Sequence, residues 1–427
     1  MIWYRKISIL ILLATLSYSQ DIILGDLNDD EDVNVIDIVD LVDIILGTEP
    51  DENQLESGDL NSDAELNIQD VVLIVEIILD ILCPVYEDQC DPSALDCCTS
   101  HEVDFSVHTF GTFSSDIFDS WIFSDDYILA GGDITSAGQG TFSCAIWDSE
   151  NWELAQIYED TFNTVMPIRS IWAFSEEDIY LAAGSILHWN GNVDSLAHAV
   201  WIVEHEEYPD EAVFHIWAAS ESSIYFVGPS GCIRHFNGEE FIRMESGTDI
   251  WLKDVWGYVD PDTGAETVWA CGWNYDLETV LLKFNDDTWY PVYNADEYAW
   301  ELLPDHLSNI VISVWSTDEF LYVLTGNGLY QCVHQTTGEG TLILENEWFV
   351  DSRWQVRGLS DNDIFIVGHN QEIMHYNGEN WQQLTNSPDD YLYNIEVKDG
   401  TVVAGGHRVE EAPVDRALLL HGVRNRP

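Results

Sequence analysis

Val356-Arg357-Gly358-Leu359-Ser360-Asp361-Asn362-Asp363-Ile364-Phe365-Ile366-Val367-Gly368, followed by His375-Tyr376-Asn377-Gly378-Glu379-Asn380-Trp381, is a unit that this chain repeats. It reads as a strand, a polar turn, a second strand ending in Gly, a third strand, a turn at Asn-Gly, and a fourth strand opening on an aromatic. Ile171-Trp172 through Asp178-Ile179-Tyr180 to Gly184, then His188-Trp189-Asn190-Gly191, is one further copy. Ile216-Trp217 through Ile224 to Gly228, then His235-Phe236-Asn237-Gly238 and Phe241, is another. Weaker copies start at Trp121, Trp256 and Trp315, and a seventh starts near Ile395 and contains Val402-Val403-Ala404-Gly405. The anchors fall about 39–59 residues apart. Asn-Gly between apolar runs predicts tight hairpins of type I′, whose two central residues both need positive φ.

Four strands with their turns occupy about 40–50 residues, the period of a β-propeller blade. The fold expected is mainly β, a propeller of about seven blades over residues 101–427. The last unit stops after its third strand, Ala417–His421, and an orphan strand, Glu102–Phe110, precedes the first unit. Pairing these two strands removes both open edges of the array, where unpaired backbone groups would otherwise be exposed. Trp172, Trp217, Trp256 and Trp315 then recur on the innermost strand, and Trp152, Trp289, Trp348 and Trp381 open the outer one. Recurrence at equivalent positions indicates packing between blades. The units resemble the broad class of bacterial secreted propellers carrying an S-x-x-D-I-Y…G…H-Y-N-G-x-x-W repeat, a likeness that implies no particular activity. The S-x-D-x-G-x-T-W box of sialidases is absent, as is a regular GH…WD pattern.

Ahead of the array, one twelve-residue pattern occurs twice, beginning at Asp26 and at Asp59. The first copy places oxygen-bearing side chains at Asp26, Asn28, Asp30, Asp32, Asn34 and Asp37. The second places them at Asp59, Asn61, Asp63, Glu65, Asn67 and Asp70. Ca²⁺ takes six to eight oxygens, and a loop of this length wraps them around one ion. An apolar helix follows each loop, and the Gly-Asp-Leu-Asn lead-in and the apolar position 8 (Val33, Leu66) recur with it. The pair resembles the type I dockerin domain, which implies two Ca²⁺ sites, a small all-α EF-hand-like module over residues 21–82, a cohesin-bearing scaffold as partner, and a link to polysaccharide breakdown. The chain departs from the pattern at position 6, where Glu31 and Ala64 replace Gly. A non-Gly residue held at positive φ costs on the order of 1 kcal/mol, which weakens the sites.

Composition limits the partners. The chain of 427 residues has 78 Asp and Glu against 14 Lys and Arg, a formal charge of −64. Such a surface repels phosphate backbones and anionic lipid, so neither nucleic acid nor a membrane surface is an expected partner. Arg5 and Lys6 precede an apolar run, Ile7 to Leu16, and Ser17-Tyr18-Ser19 closes it. This is the pattern of a secretory signal peptide over residues 1–19, cut near Ser19, and the run is too short to span a bilayer. The expectation is an exported protein without membrane insertion. Cys83, Cys90, Cys97 and Cys98 crowd a linker over residues 83–100, where disulfides fit better than zinc. Cys144, Cys232, Cys271 and Cys332 are scattered and read as buried single thiols.

No nucleophile elbow, phosphate loop or zinc spacing occurs in the chain. Arg169, Arg353, Arg357 and Arg408 lie near starts of inner strands, where they either face the channel or make surface ion pairs. His188, His235 and His375 share one repeat position and read as structural hydrogen-bonders. Apart from insertions in the fourth and fifth units, no constellation breaks the register, so no catalytic residues are assigned. Trp269, Trp273 and Trp300 fall outside the register beside those insertions and are the ligand candidates, with Trp251 and Trp354 behind them. Two functions remain. One is an extracellular binding module for a glycan or a protein; the other is a carbohydrate-active enzyme (glycosidase, sialidase-like or lyase) with its site on a propeller face. Carboxylates 5–10 Å apart around an apolar floor at the channel mouth would favour the second.

Overall fold

The computed structural model describes residues 25–28, 33, 35–48, 50, 52–58, 60, 66–78 and 99–424, with breaks at 160–163, 190–201, 204–211, 262, 286, 296–302, 346–352, 389 and 411–414. The expected leader, Cys83 to Cys98, Trp300, and the loop residues Asp30, Asp32, Asn34, Asp59, Asn61, Asp63 and Glu65 lie outside the described residues. The chain divides into two units, Met1–Pro84 and Val85–Pro427.

The larger unit contains seven four-stranded antiparallel sheets. Their innermost strands are Asp116–Ser124, Ser170–Ser175, His215–Ser220, Leu252–Val259, Val311–Ser316, Arg353–Ser360 and Asp390–Lys398, and we number the blades 1 to 7 in that order. Each innermost strand packs against those of the blades before and after it, and blade 7 meets blade 1. The array is therefore a closed seven-bladed propeller. Closure uses both ends of the chain. Val103–Phe110 pairs with Asp415–Arg424 from Val103↔Arg424 to Phe110↔Ala417 and supplies the fourth strand of blade 7.

Seven apolar clusters form the core, one between each successive pair of blades. Two of the repeated tryptophans bury themselves across these interfaces. A Cβ on Gly257 would lie 2.5 Å from the Trp217 ring, and one on Gly358 would lie 3.0 Å from Trp315. The glycine that follows the anchor position lets the preceding blade's indole lie flat on the backbone. Cys144, Cys232, Cys271 and Cys332 are all buried.

The three repeated histidines are structural. His188 Nε2 contacts Asp178 at 2.7 Å, His235 Nε2 contacts Ser223 at 3.0 Å, and His375 Nε2 contacts Asp363 at 2.8 Å. Each ring also stacks on the aromatic of the neighbouring strand: Tyr180, Tyr225 and Phe365. The Asn-Gly turns differ from the type I′ expectation. Only the glycines, Gly238 and Gly378, take positive φ. Asn237 Oδ1 instead accepts the N–H groups of Glu239 and Glu240, and Asn377 Oδ1 those of Glu379 and Asn380. The side-chain amide does the capping, so the loop spans four residues rather than two.

The smaller unit has helices α1 (Val35–Ile45), α2 (Glu52–Ser57) and α3 (Ile68–Ile78), with α1 and α3 packed through Leu41, Val71 and Ile74. Its two halves share one local device. Asp37 Oδ1 accepts the N–H of Leu27, and Asp70 Oδ1 accepts that of Leu60, each ten residues back. Both carboxylates are fully buried. Among the described residues, no helix is long and apolar enough to cross a membrane.

Candidate binding site at the channel mouth

One irregularity recurs on the innermost strands and decides where the site lies. In blades 1, 4, 5, 6 and 7 the pairing with the second strand skips one residue near the strand start: Phe118, Lys253, Ile312, Trp354 and Tyr393. In blades 2 and 3, Arg169 and Phe214 hold the same place, each donating its N–H to the carbonyl opposite the next residue, Ala182 and Val227. A bulge leaves its extra residue outside the ladder and re-aims the side chain. Here all seven side chains point into one cavity of about 360 Å³ at the channel mouth, joined by Trp251 and Trp273.

The next residue along each strand forms a polar belt: Asp119, Ser170, His215, Asp254, Ser313, Gln355 and Asn394. Most of these accept a backbone N–H from the following blade. Ile171 donates to Asp119 Oδ2 at 2.8 Å, Ile216 to Ser170 at 3.2 Å, Val314 to Asp254 Oδ2 at 3.0 Å, Val356 to Ser313 at 3.3 Å and Ile395 to Gln355 at 2.7 Å. Asn394 closes the circle by donating to Ser120. His215 Nδ1 lies 3.3 Å from Asp254 without the alignment of a hydrogen bond. Burial holds its imidazole below its ordinary pKa, in the neutral form. Arg357 reaches back across the channel to Asp254 with both terminal nitrogens, at 3.2 and 2.9 Å. Burial works against a charged Asp254, but Arg357 and the hydrogen bonds it receives hold its carboxyl below the usual range.

The mouth above this belt is rich in donors and poor in acceptors. Arg169 makes no ion pair among the described residues, and its guanidinium lies over Phe118 and Phe214 at 4.8 and 5.7 Å. Lys253 Nζ lies 3.3 Å from the centre of the Trp273 ring. Burial pushes the Lys253 ammonium down to about 8. Among the described residues, the buried indole N–H groups of Trp273 and Trp354 have no acceptor. The one carboxylate in the lining, Asp254, is already held by Arg357. A mouth of this composition suits a ligand that brings acceptors and apolar surface. It lacks the paired carboxylates that a glycosidase needs there.

The ligand candidates from sequence separate on this geometry. Trp273 and, behind it, Trp251 and Trp354 line the mouth. Trp269 does not: it pairs opposite Trp256 in the ladder and is wholly buried between blades 4 and 5. Of the arginines, Arg408 pairs with Asp390, and Arg169 and Arg357 face the channel. The expectation that no constellation breaks the register is corrected here. The bulge position reads Phe, Arg, Phe, Lys, Ile, Trp, Tyr around the ring, and the anchor position reads five Trp, then Arg357, then Glu396. Aligning the units on the residue before each inner-strand anchor shows the departures at Arg357 and Glu396, whereas the bulge needs the strand pairing.

No family model matches the chain, and no curated protein does. A solved structure described as YCF48 bound to D1 peptide is similar to it, with a TM-score of 0.53 at 13% identity, over 79% of this chain and 100% of that one. Its likeness shows the β-propeller fold. A structure of YCF48 from Cyanidioschyzon merolae aligns over 74% of this chain and 98% of that one, at 13% identity and a TM-score of 0.49.

Proposed function

We propose that the propeller is an interaction module that binds a polypeptide segment of a partner protein at the channel mouth. The observation that carries this is the set of donors without acceptors: Arg169, Lys253 and the indole N–H groups of Trp273 and Trp354, set among aromatic rings. An extended peptide supplies the complement, with backbone carbonyls, acidic side chains and apolar groups to cover the rings. The peptide carried by the similar YCF48 structure is in keeping with a propeller in this role. Selecting peptides from a random library on the whole protein tests it. The selected peptides should lose tenfold or more in affinity against an Arg169→Ala/Lys253→Ala variant whose melting temperature is unchanged. Equal affinity for that variant rejects the site.

In this reading the smaller unit binds Ca²⁺ at two sites and serves as a tether on an exported protein, with a cohesin-bearing scaffold as the partner implied by the dockerin resemblance. The described ligands fit such an ion. Among the described residues Asn28 Oδ1, at loop position 3, is buried without a partner, and Asp37 and Asp70 turn buried carboxylates back onto their own loops. Asp26, Asn28 and Asp37 would contribute to the first site and Asn67 and Asp70 to the second. Binding to the folded state alone stabilises by mass action. Calorimetry of the whole chain should therefore show a transition that rises with Ca²⁺ and falls with chelator; a transition indifferent to both rejects the Ca²⁺ reading.

A further inference from the structure

Below the polar belt lies a second cavity, of about 240 Å³, lined by five of the seven anchor residues: Trp121, Trp172, Trp256, Arg357 and Glu396. Trp217 and Trp315 are instead buried between blades, whereas Trp121, Trp172 and Trp256 are each only partly buried and line the cavity. Trp121 and Trp172 stand with ring centres 5.0 Å apart at 56°, and Trp172 and Trp256 6.1 Å apart at 67°. Three indoles at steep mutual angles form three walls of a box. Two carboxyl groups, Asp119 and Glu396, complete the lining.

The charges do not cancel within the box. Arg357 lies over Trp256 at 4.5 Å, so one indole already serves a cation, but its charge is matched by Asp254. Asp119 accepts N–H groups from Ile171 and Ser120. Among the described residues, the Glu396 carboxyl has neither a hydrogen bond nor an ion pair. Indole faces attract cations, most strongly when the cation is desolvated. We propose that this box is a binding site for a small organic cation of the alkylammonium class, seated against the indoles of Trp121 and Trp172 with Glu396 as its counter-ion.

The state of Glu396 couples the site to protons. Burial, with Asp119 adding to it, pushes its carboxyl up to about 8, against the opposing pull of Arg357 and Lys398. His215, the remaining titratable group near Asp119, is held neutral by burial. At pH 7 Glu396 is therefore mostly protonated, and an ammonium beside it favours ionisation. Binding then releases close to one proton at pH 7 and none at pH 9. Affinity rises about tenfold between those pH values, because the fraction of ionised Glu396 rises about tenfold.

Calorimetric titration of the whole protein with choline, at constant ionic strength, tests this. Its neutral carbon isostere, 3,3-dimethylbutan-1-ol, is the control of equal shape. The expected result is that choline binds at least tenfold more tightly than the isostere at pH 9. It should also bind about tenfold more tightly at pH 9 than at pH 7, and Glu396→Gln should remove that pH difference and narrow, without abolishing, the preference over the isostere. A peptide with one trimethyl-lysine, run beside its unmethylated form, tells a side-chain source from a free ligand; preference for either methylated probe supports the site. Equal affinity for choline and the isostere, a pH-independent affinity in the unaltered protein, or no binding of either methylated probe overturns it. The first two arms need no variant, so a Glu396→Gln protein that fails to fold leaves the proposal exposed to refutation.

Discussion

Phe118 and Asp119 are neighbours on one strand, as are Arg169 and Ser170, Lys253 and Asp254, and Trp354 and Gln355, yet the two members of each pair belong to different regions. The belt residues are engaged by the next blade, through N–H groups that would otherwise be buried without a partner. The mouth residues one position earlier include donors with no acceptor among the described residues. A bulge in five of the strands, and the residue just before the strand in blades 2 and 3, separates the two sets, turning one side chain to the adjacent blade and the other to the opening. Stability and recognition are thereby divided within consecutive residues, and substitutions in the two rings should have opposite consequences.

The largest effect is expected from removing the strand that holds the ring shut. A chain lacking residues 99–110 leaves Asp415–Arg424 with an unpaired edge and should aggregate or lose its cooperative melting transition. Monomeric, cooperative behaviour would show that the ring does not depend on that strand. Next comes Arg357→Ala, at the anchor residue that holds Asp254 of the belt. It strands buried Asp254 without its counter-charge and should cost about 3–5 kcal/mol in denaturant unfolding. Asp119→Ala, which orphans the N–H of Ile171, should cost about 1–3 kcal/mol.

Glu396 sharpens the comparison through pH. Its folded-state carboxyl titrates near 8, above the ordinary 4.5, so the folded protein binds more protons between these values and stability falls as pH rises across that window. Glu396→Gln should match the unaltered protein at pH 5 and exceed it at pH 9 by an amount on the order of a few kcal/mol. Parallel pH–stability curves for the two would refute it. The smallest effect belongs to the mouth. Lys253 has its folded-state value lowered to about 8, so the cost of keeping it charged is present in full below that pH and fades as pH rises towards 10.5. Lys253→Met should leave the melting temperature at pH 7 unchanged or slightly raised while peptide binding falls. A drop of many degrees would place Lys253 among the structural residues.

Much of the fold could be read from the residues. Trp172, Trp217 and Trp315, with the Ser-x-x-Asp-Ile and Asn-Gly punctuation around them, give the blade period, and Glu102–Phe110 reads as the missing strand because the last unit lacks one. The histidines were legible for the same reason: they repeat, and their partners Asp178, Ser223 and Asp363 repeat with them. The site was less legible. A bulge is a property of pairing, and the skipped residue shows only when the register opposite it is known. Phe118, Arg169 and Lys253 share no chemistry that a motif could capture. Trp269 misled because an irregular position in sequence was taken for an exposed one. The inserted loop beside it instead left that indole facing blade 5, enclosed by Val311 and Tyr330. The Asn-Gly turns were located correctly but given the wrong geometry, since amide capping by Asn237 and Asn377 competes with a two-residue turn.

The pairing of Val103 with Arg424 also sets a clock. These residues are separated by nearly the whole larger unit, so during synthesis the first strand emerges long before its neighbour exists. At about 5–20 residues per second that interval is roughly 15–60 s. Throughout it blade 1 has no blade 7 to lean on, and Ile117 and Ile122 stay uncovered on that side. The ring becomes complete only when the strand Asp415–Arg424 has been made.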